Sequence, residues 1–199
     1  MPVTATAGTT TSALFEVPRK KWTREEIRVL DTTGIFDGQN YELVDGELVN
    51  KMAKFWSHVQ GTDNVHSNLL GIFGRGLVYQ EAPSDVAAAD CPINEPQPDV
   101  VVLKRLHDNL RLNPQPQDVR LLVEVADSSL RVDTTTKGEL YARAGIDDYW
   151  VLDLNGRCLR VFRQPVADSY QEVLVHGEHE SASPLSRPDV LIRVADLLP

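Results

Sequence analysis

The sequence predicts one α/β domain built on a buried β-sheet, and three observations support this prediction. Residues 100–103 and 121–125 are apolar runs rich in β-branched side chains, which is typical of strands covered on both faces. A helical pattern follows them at residues 134–144. The chain has 199 residues, a length sufficient for one such domain with its own core.

A helix and a hairpin are expected at the start of the domain. Thr23 is a suitable N-cap, and Glu26, three residues later, completes a capping box for a helix over about residues 24–31. Asp45-Gly46 separates two apolar runs within residues 41–49, and this pattern indicates two antiparallel strands.

A longer helix and further short strands are predicted next. Val65 and Leu69 belong to an apolar stripe at steps of three and four within residues 57–74, so this segment is predicted to be helical. Short strands are predicted at residues 78–80 and 86–89. A loop containing Pro114 and Pro116 then precedes the second apolar run.

The C-terminal third predicts a helix followed by antiparallel strands. Gly145 stands where the C-terminal cap of the helix is expected. Asn155-Gly156 predicts a two-residue hairpin turn between strands at residues 146–154 and 158–162. Further elements are expected at residues 170–175, as a strand, and at residues 190–198, as a strand or short helix.

The chain contains no repeat or long linker, so residues 19–199 are predicted to form a single domain after a flexible tail at residues 1–18. The tail lacks the basic start and apolar stretch of a secretory signal. Cys91 and Cys158 cannot form a disulfide framework, which favours a cytoplasmic location. No apolar run approaches the ~20 residues that span a bilayer, so no membrane partner is expected.

The charge balance restricts the classes of nucleic-acid protein that remain possible. The formal net charge is -9, which argues against a general electrostatic DNA binder. A nuclease needs only a local basic groove, although scattered surface charges are the more ordinary interpretation of these residues. The candidates for such a groove are Arg19, Lys20, Lys21, Arg24, Lys51, Lys54 and Arg75.

Three residues in a particular order point to metal-dependent chemistry. Asp99 stands at the head of one apolar strand, Glu124 lies inside the next, and Lys137 lies on the helix that follows. A carboxylate inside a buried strand is costly unless it is paired or holds a metal. Two carboxylates on neighbouring strands can share one divalent cation, and a nearby lysine can orient a water molecule and stabilise developing charge.

Each of these residues also has a simpler interpretation. The Pro-Asp pair occurs again at Pro188-Asp189, without an acidic strand downstream. A glutamate in an apolar strand more often pairs with arginine or faces an exposed edge, and a helical lysine is usually solvated. The hypothesis therefore depends on the order and strand placement of Asp99, Glu124 and Lys137 together.

At this point the sequence resembles the Uma-two family, a restriction-endonuclease-like group within the PD-(D/E)XK superfamily. The matching segments extend from residue 41 to about residue 161. They are residues 41–49, Ser57-His58, residues 98–102, residues 122–125, Asp133 with Lys137 and Tyr141, residues 144–146, and residues 149–153.

The resemblance implies a restriction-endonuclease-like core, with helices around a central mixed β-sheet. It implies a metal-dependent endonuclease that hydrolyses phosphodiester bonds of nucleic acid, with DNA as the expected substrate. Asp99 and Glu124 would be the acidic metal ligands, and the backbone carbonyl of Val125 is counted as a further ligand. Mg²⁺ is the usual ion, and Mn²⁺ can substitute for it.

The sequence departs from the general superfamily pattern near Glu124. The lysine is usually found two positions after the acidic residue, where this chain has Ala126. In the resembling family the lysine stands on the next helix, at the position that Lys137 matches. Catalysis therefore requires Lys137 to point back toward Glu124. The family's proline after Glu124 is also missing, which is expected to change the shape of the loop.

Four secondary candidates have competing roles. Glu42 is expected either near the metal or in solvent on the hairpin. His58 would contact a phosphate or the surroundings of the metal, or alternatively cap a helix or lie at the edge of the core. Asp133 is expected to be a helix N-cap rather than a ligand, and Tyr141 a core aromatic rather than a platform for base stacking.

Three functions remain open at this stage. The first is an Mg²⁺-dependent endonuclease, and the second is a catalytically inactive module of the same fold that binds nucleic acid or protein. A different metal-dependent phosphoesterase is the third. A homodimer is expected by analogy with restriction-type folds, through an exposed Tyr149-Trp150 pair or the Asn155-Gly156 hairpin. Tyr149 and Trp150 are alternatively aromatic residues of the core.

Overall fold

The computed structural model describes residues 19–51, 55–106 and 112–199. The tail expected at residues 1–18 lies outside the described residues. The first helix, α1, is Arg24–Asp31, and Thr23 and Glu26 form the predicted capping box. The predicted hairpin follows as β1, Tyr41–Val44, paired antiparallel with β2, Glu47–Asn50. Asp45 and Gly46 at its turn both have positive φ, as a tight primed turn requires.

Two longer helices pack against the sheet. Helix α2, Trp56–Phe73, ends at Gly74 and buries Val65 and Leu69 as predicted. Helix α3 consists of three consecutive pieces, the α-helical turn Leu130–Val132, the π-helical segment Asp133–Lys137 and the α-helix Gly138–Arg143. Gly145 follows it with φ +71°, the left-handed conformation expected after a helix end.

A six-stranded mixed sheet forms the centre of the molecule, in the order β3-β4-β5-β6-β7-β8. β5 and β6 are parallel, and every other neighbouring pair is antiparallel. The parallel pair is joined by a crossover containing α3. The strands are β3 Val78–Gln80, β4 Val100–Leu103, β5 Val119–Ala126, β6 Asp148–Asp153, β7 Cys158–Val166 and β8 Ser169–Gly177.

Apolar side chains cover both faces of this sheet, as the apolar runs predicted. On β5, Val123 and Val125 belong to the core cluster on the α2 face. Leu122 and Ala126 belong to the cluster on the α3 face. Glu124 has the same parity as Leu122 and Ala126, so alternation along the strand directs it to the α3 face. The site is therefore expected between the sheet and α3.

Two local predictions were wrong, and one alternative for the dimer interface is excluded. Residues 86–89 do not form a strand. The turn between β6 and β7 has four residues, 154–157, because Asp153 pairs with Cys158; the left-handed residue is Arg157 rather than Gly156. Tyr149 and Trp150 are fully buried on the central strand β6, so they are core residues and are excluded as the dimer interface.

The C-terminal segment crosses the α2 face of the sheet. It contains the two-residue strands β9, Ser181–Ala182, and β10, Ile192–Arg193, which pair with each other. A 3₁₀ turn, Val194–Asp196, follows them, so both alternatives predicted for this segment occur. Further 3₁₀ turns are Cys91–Ile93 and Pro116–Asp118. Among the described residues, no helix has the length and apolar character to cross a membrane.

Candidate active site

The register of β4 and β5 brings the two acidic candidates together. Asp99 directly precedes β4, and Val100 is paired with Val123 on β5. Continuing this antiparallel register by one position sets Asp99 opposite Glu124. Directly opposed residues of an antiparallel pair have Cβ atoms about 5 Å apart. Both side chains are buried and both line one cavity of about 280 Å³.

Lys137 enters the same cavity from the π-helical segment of α3. Its Nζ lies 2.8 Å from Glu42 Oε1, 3.0 Å from Glu124 Oε1 and 3.7 Å from Asp133 Oδ1. The lysine therefore points back toward Glu124, which was the condition that the sequence had set for catalysis. A π-helical turn is rare and often marks a functional position. Here, Asp133 and Lys137 at its two ends are both buried.

Asp133 does not have the predicted capping role. Helix α3 begins at Leu130, so Asp133 lies inside it and donates its backbone N–H to the Ser129 carbonyl. The Asp133 carboxylate instead accepts a hydrogen bond from the Ser129 hydroxyl at 2.5 Å. A polar residue before a helical pattern suggested a cap, but the helix extends one turn further toward the N-terminus.

Glu42 belongs to the site, so the solvent-facing alternative for this residue was wrong. It extends from β1 and is buried, and one of its carboxylate oxygens accepts the backbone N–H of Gln97 at 3.1 Å. The hairpin thus supplies a second carboxylate that contacts Lys137. This residue is 95 positions from Lys137 in the chain (137 minus 42).

Asp99 has a separate set of partners. Its Oδ2 accepts the backbone N–H of Val125 at 2.8 Å and lies 3.4 Å from His58 Nε2. Its Oδ1 lies 3.7 Å from Lys51 Nζ. His58 in turn has its Nδ1 3.2 Å from the Thr62 hydroxyl. His58 therefore contacts Asp99. The backbone carbonyl of Val125 stays a predicted metal ligand.

Two contributors were not assigned to the site from the sequence. Lys51 was only one of seven scattered basic residues, yet its buried side chain faces Asp99. The Tyr141 hydroxyl donates a hydrogen bond to Glu124 Oε1 at 3.0 Å. Its spacing of one helical turn from Lys137 was the available signal, because residues four apart share a helix face.

Four of the other candidates for a basic groove are engaged elsewhere. Arg19, Lys20 and Lys21 form exposed ion pairs with nearby acidic residues, and Arg24 is paired with Asp85. Lys54 lies outside the described residues, and Arg75 is not among the residues that line the cavity. Within the described parts of the chain, Lys51 is therefore the member of that set that lines the cavity.

Burial and neighbouring charges have opposing effects on the pKa values of Glu124 and Lys137. Burial raises the pKa of Glu124 to about 8, and the charge of Lys137 offsets only part of this effect. Burial alone would lower the pKa of Lys137, but the charges of Glu124, Glu42 and Asp133 raise it above its ordinary value. Lys137 is therefore held in its charged form by the acidic groups around its amine.

The donor set is compatible with a hard divalent cation bound by two carboxylates. No group of three or more His, Cys, Asp or Glu side chains within residues 19–51, 55–106 and 112–199 is arranged to hold a metal ion. Mg²⁺ is commonly held by one or two carboxylates, with water and phosphate as its remaining ligands. Among the described residues that line the cavity, acidic side chains outnumber lysines: the five acids are Glu42, Asp99, Glu124, Asp127 and Asp133, and the two lysines are Lys51 and Lys137.

Comparison with known proteins gives the same family as the motifs. Residues 25–195 match a family model described as "Uma2: Putative restriction endonuclease". A crystal structure from Anabaena variabilis, described as "a putative nuclease belonging to DUF820", is similar with a TM-score of 0.61 and 15% sequence identity. The match covers 79% of this chain and 88% of that chain. At this identity the likeness is one of fold. No curated protein matches the sequence.

Proposed function

The chain belongs to the Uma2 family of restriction-endonuclease-like proteins, and from this premise we propose that it is a metal-dependent endonuclease acting on nucleic acid. Asp99 and Glu124 hold Mg²⁺ in this proposal, and Mn²⁺ can replace it. Lys137 positions the attacking water. DNA is the proposed substrate, and the cytoplasm the proposed location.

One observation carries the proposal: a buried lysine and two opposed strand carboxylates share a single cavity. The ammonium of Lys137 lies 3.0 Å from Glu124, and the β4–β5 register sets Asp99 opposite Glu124. Burial of three ionised carboxylates around one amine would lower the stability of the fold unless a further cation were bound. A bound divalent ion supplies the neutralisation of a phosphate and a hydroxide-like nucleophile.

The protein's own residues have distinct tasks in this proposal. Lys137 can hold a water molecule near the phosphorus and offset the charge that develops there. The hydrogen bond from Tyr141 and the ion pair with Lys137 fix the rotamer of Glu124. The Val125 N–H and His58 orient Asp99. Lys51, at the end of the hairpin, can bind a non-bridging phosphate oxygen.

A non-catalytic binding module of the same fold is the second candidate. The observation in its favour is that Lys137 already pairs with Glu42 and Glu124, which leaves its charge engaged before any ligand binds. The formal net charge of -9 also opposes binding of a polyanion. This candidate predicts that no form of DNA or RNA is hydrolysed with Mg²⁺ or Mn²⁺.

The decisive experiment is a substrate panel with controlled metal. Single-stranded and duplex DNA, RNA and simple phosphodiesters are incubated with the full chain and Mg²⁺, Mn²⁺ or EDTA. The nuclease proposal predicts cleavage of a nucleic acid that is lost in EDTA. Cleavage of the simple phosphodiesters alone would indicate a different phosphoesterase. Crystals soaked in Mn²⁺ should show anomalous density between Asp99 and Glu124, and a peak elsewhere would contradict the assigned ligands.

The proposal also includes a homodimer, because a duplex needs one site for each strand. The interface first expected at Tyr149 and Trp150 is excluded by their burial. The Asn155-Gly156 hairpin, the other interface expected from the sequence, remains a prediction.

A further inference from the structure

The outer edge of strand β8 has the features of a surface that pairs with another chain. It is the last strand of the six-stranded sheet, and within the described residues no strand pairs with its outer edge. Its nine residues, Ser169–Gly177, contain no proline or lysine. Monomeric proteins usually protect such edges with short strands, charges, prolines or bulges. β8 has little of this protection.

The centre of β8 also exposes apolar side chains on both of its faces. Val173, Leu174 and Val175 are exposed by 50%, 40% and 52%. Three consecutive exposed apolar residues point alternately to the two faces of the sheet. A partner that covers them must therefore meet the edge itself rather than one face. Addition of another strand has this geometry.

We propose that β8 is a homodimer interface, in which the edge strands of two copies pair antiparallel about a two-fold axis centred on Leu174. This surface defines the homodimer included in the proposed function, while its formation does not require catalysis. It would join the two six-stranded sheets into one continuous sheet. The interface is isologous, because each copy presents the same strand.

Symmetry restricts the register of such a pair. Opposed residues of an antiparallel pair lie on the same face, so a two-fold axis normal to the sheet must pass beside a residue rather than between two residues. A centre at Leu174 sets Leu174 opposite itself and Val173 opposite Val175. It also sets Glu172 opposite His176, which can donate a hydrogen bond to the carboxylate.

Neighbouring registers are less complementary. A centre at Val173 sets Glu172 opposite Leu174, and a centre at Val175 sets His176 opposite Leu174. A centre at Glu172 opposes two identical carboxylates, which is destabilising. The sequence of β8 therefore favours self-pairing at Leu174. The apolar residues 173–175 are flanked by Glu172 on one side and by His176 on the other. In an antiparallel pair of identical strands each Glu172 meets a His176, so a second copy of this chain is the partner that fits.

The first test is cysteine cross-linking of the full chain. Leu174→Cys should give an oxidised dimer on a non-reducing gel, since two opposed residues have Cα atoms about 4.5–5.5 Å apart. Val173→Cys alone should not, because the two copies of this residue are offset by about 7 Å along the strands. A mixture of Val173→Cys and Val175→Cys should cross-link. The unsubstituted chain, with Cys91 and Cys158, is the control for background oxidation.

The second test uses light scattering and a matched pair of variants. The unsubstituted chain should have twice the mass of one chain. Leu174→Asp should be monomeric, because it opposes two carboxylates at the axis. Val166→Asp should remain a dimer, since Val166 is similarly exposed but lies on β7. A monomeric unsubstituted chain, a dimeric Leu174→Asp, or equal cross-linking of Val173→Cys and Leu174→Cys would each overturn the interface.

These outcomes are separate from those for catalysis. Cross-linking at Leu174 in a chain that cleaves no nucleic acid would support the interface and overturn the nuclease function. Metal-dependent cleavage by a monomer would support the nuclease function and overturn the interface.

Discussion

Two regions of the sheet bury carboxylates, and they differ in how the charge is satisfied. At the start of β6, Asp148 accepts hydrogen bonds from Trp150 Nε1 at 2.9 Å, Arg163 Nε at 3.0 Å and the Leu185 N–H at 2.7 Å. In the candidate active site, Glu42, Glu124 and Asp133 instead share one lysine. Only the second region borders the cavity.

The difference separates a structural carboxylate from a candidate catalytic one. Asp148 has one guanidinium and two further donors of its own, so its burial joins β6, β7 and the C-terminal segment. The cavity cluster has more acids than amines and is open to a ligand. Buried charge that the protein has not fully compensated is a common property of functional sites. The following predictions test this contrast.

The largest effect is expected for Asp99→Asn. This change keeps the size of the side chain but removes a charge from the proposed cation site, where a metal contributes several kcal/mol of charge stabilisation. The rate of cleavage should fall by about a thousandfold or more, with little change in the free energy of unfolding. Single-turnover kinetics and urea denaturation measure the two quantities. Unchanged cleavage would remove Asp99 from the catalytic role.

Asp148→Ala should show the opposite pattern. It leaves Arg163 and two hydrogen-bond donors without their acceptor, and breaking a buried ion pair in this way costs about 3–5 kcal/mol. Urea denaturation should register the loss, while cleavage by the folded protein well below its Tm should be unchanged. A large loss of activity in still-folded protein would show that the two regions are not functionally distinct.

The pH dependence of stability should come from the cavity cluster. Because the folded chain raises the pKa of Glu124 from 4.5 to about 8, it retains a proton that the unfolded chain releases. Stability of the metal-free protein should therefore decline as the pH rises between these values, by at most about 1.4 kcal/mol per pH unit. Glu124→Gln should flatten this decline, as followed by urea denaturation at several pH values.

Added Mg²⁺ provides the control for the pH series. The ion favours the ionised carboxylate, so it should stabilise the protein more at pH 8 than at pH 6. Glu124→Gln should lose this difference. The same pH slope in both proteins would assign the titration to other groups.

The smallest effect is expected for the exposed pair Arg157–Glu178, whose atoms approach to 2.5 Å. Exposed ion pairs contribute little because water screens them and both side chains lose freedom. Arg157→Ala should leave both the free energy of unfolding and the cleavage rate within experimental error. A clear decrease in the free energy of unfolding or in the cleavage rate would mean that the distance between the charges, rather than their burial, determines how much an ion pair contributes in this protein.

The sequence predicted the local elements because their signals are short-range. The capping box at Thr23, the hairpin at Asp45-Gly46 and the apolar run of β4 depend on neighbouring residues. Its errors arose where distant packing intervened. Trp150 was one candidate for an exposed dimer interface, but it belongs to the core cluster that contains Val65 of α2 and Val194 of the C-terminal segment. Asp133 was assigned to a helix cap, but the helix begins one turn earlier.

The sequence predicted which residues form the candidate site better than it predicted the contacts between them. Asp99, Glu124 and Lys137 follow from motif order, and the structure brings them to one cavity. The pairing of Lys137 with Glu42 was not predictable, because the hairpin and α3 are far apart in the chain. Lys51 was missed for the same reason, since no local pattern distinguishes a lysine facing a buried carboxylate from a solvated one.

The family, the α/β architecture and the set of acidic and basic residues available for chemistry can all be inferred from the amino-acid sequence. The packed fold is needed to show which of these charges are buried together, how many acids share Lys137, and which strand remains at the edge of the sheet. Periodicity and turn chemistry are properties of adjacent residues. Desolvation and charge pairing depend on neighbours in space, and these exist only once the sheet, the hairpin and α3 have packed.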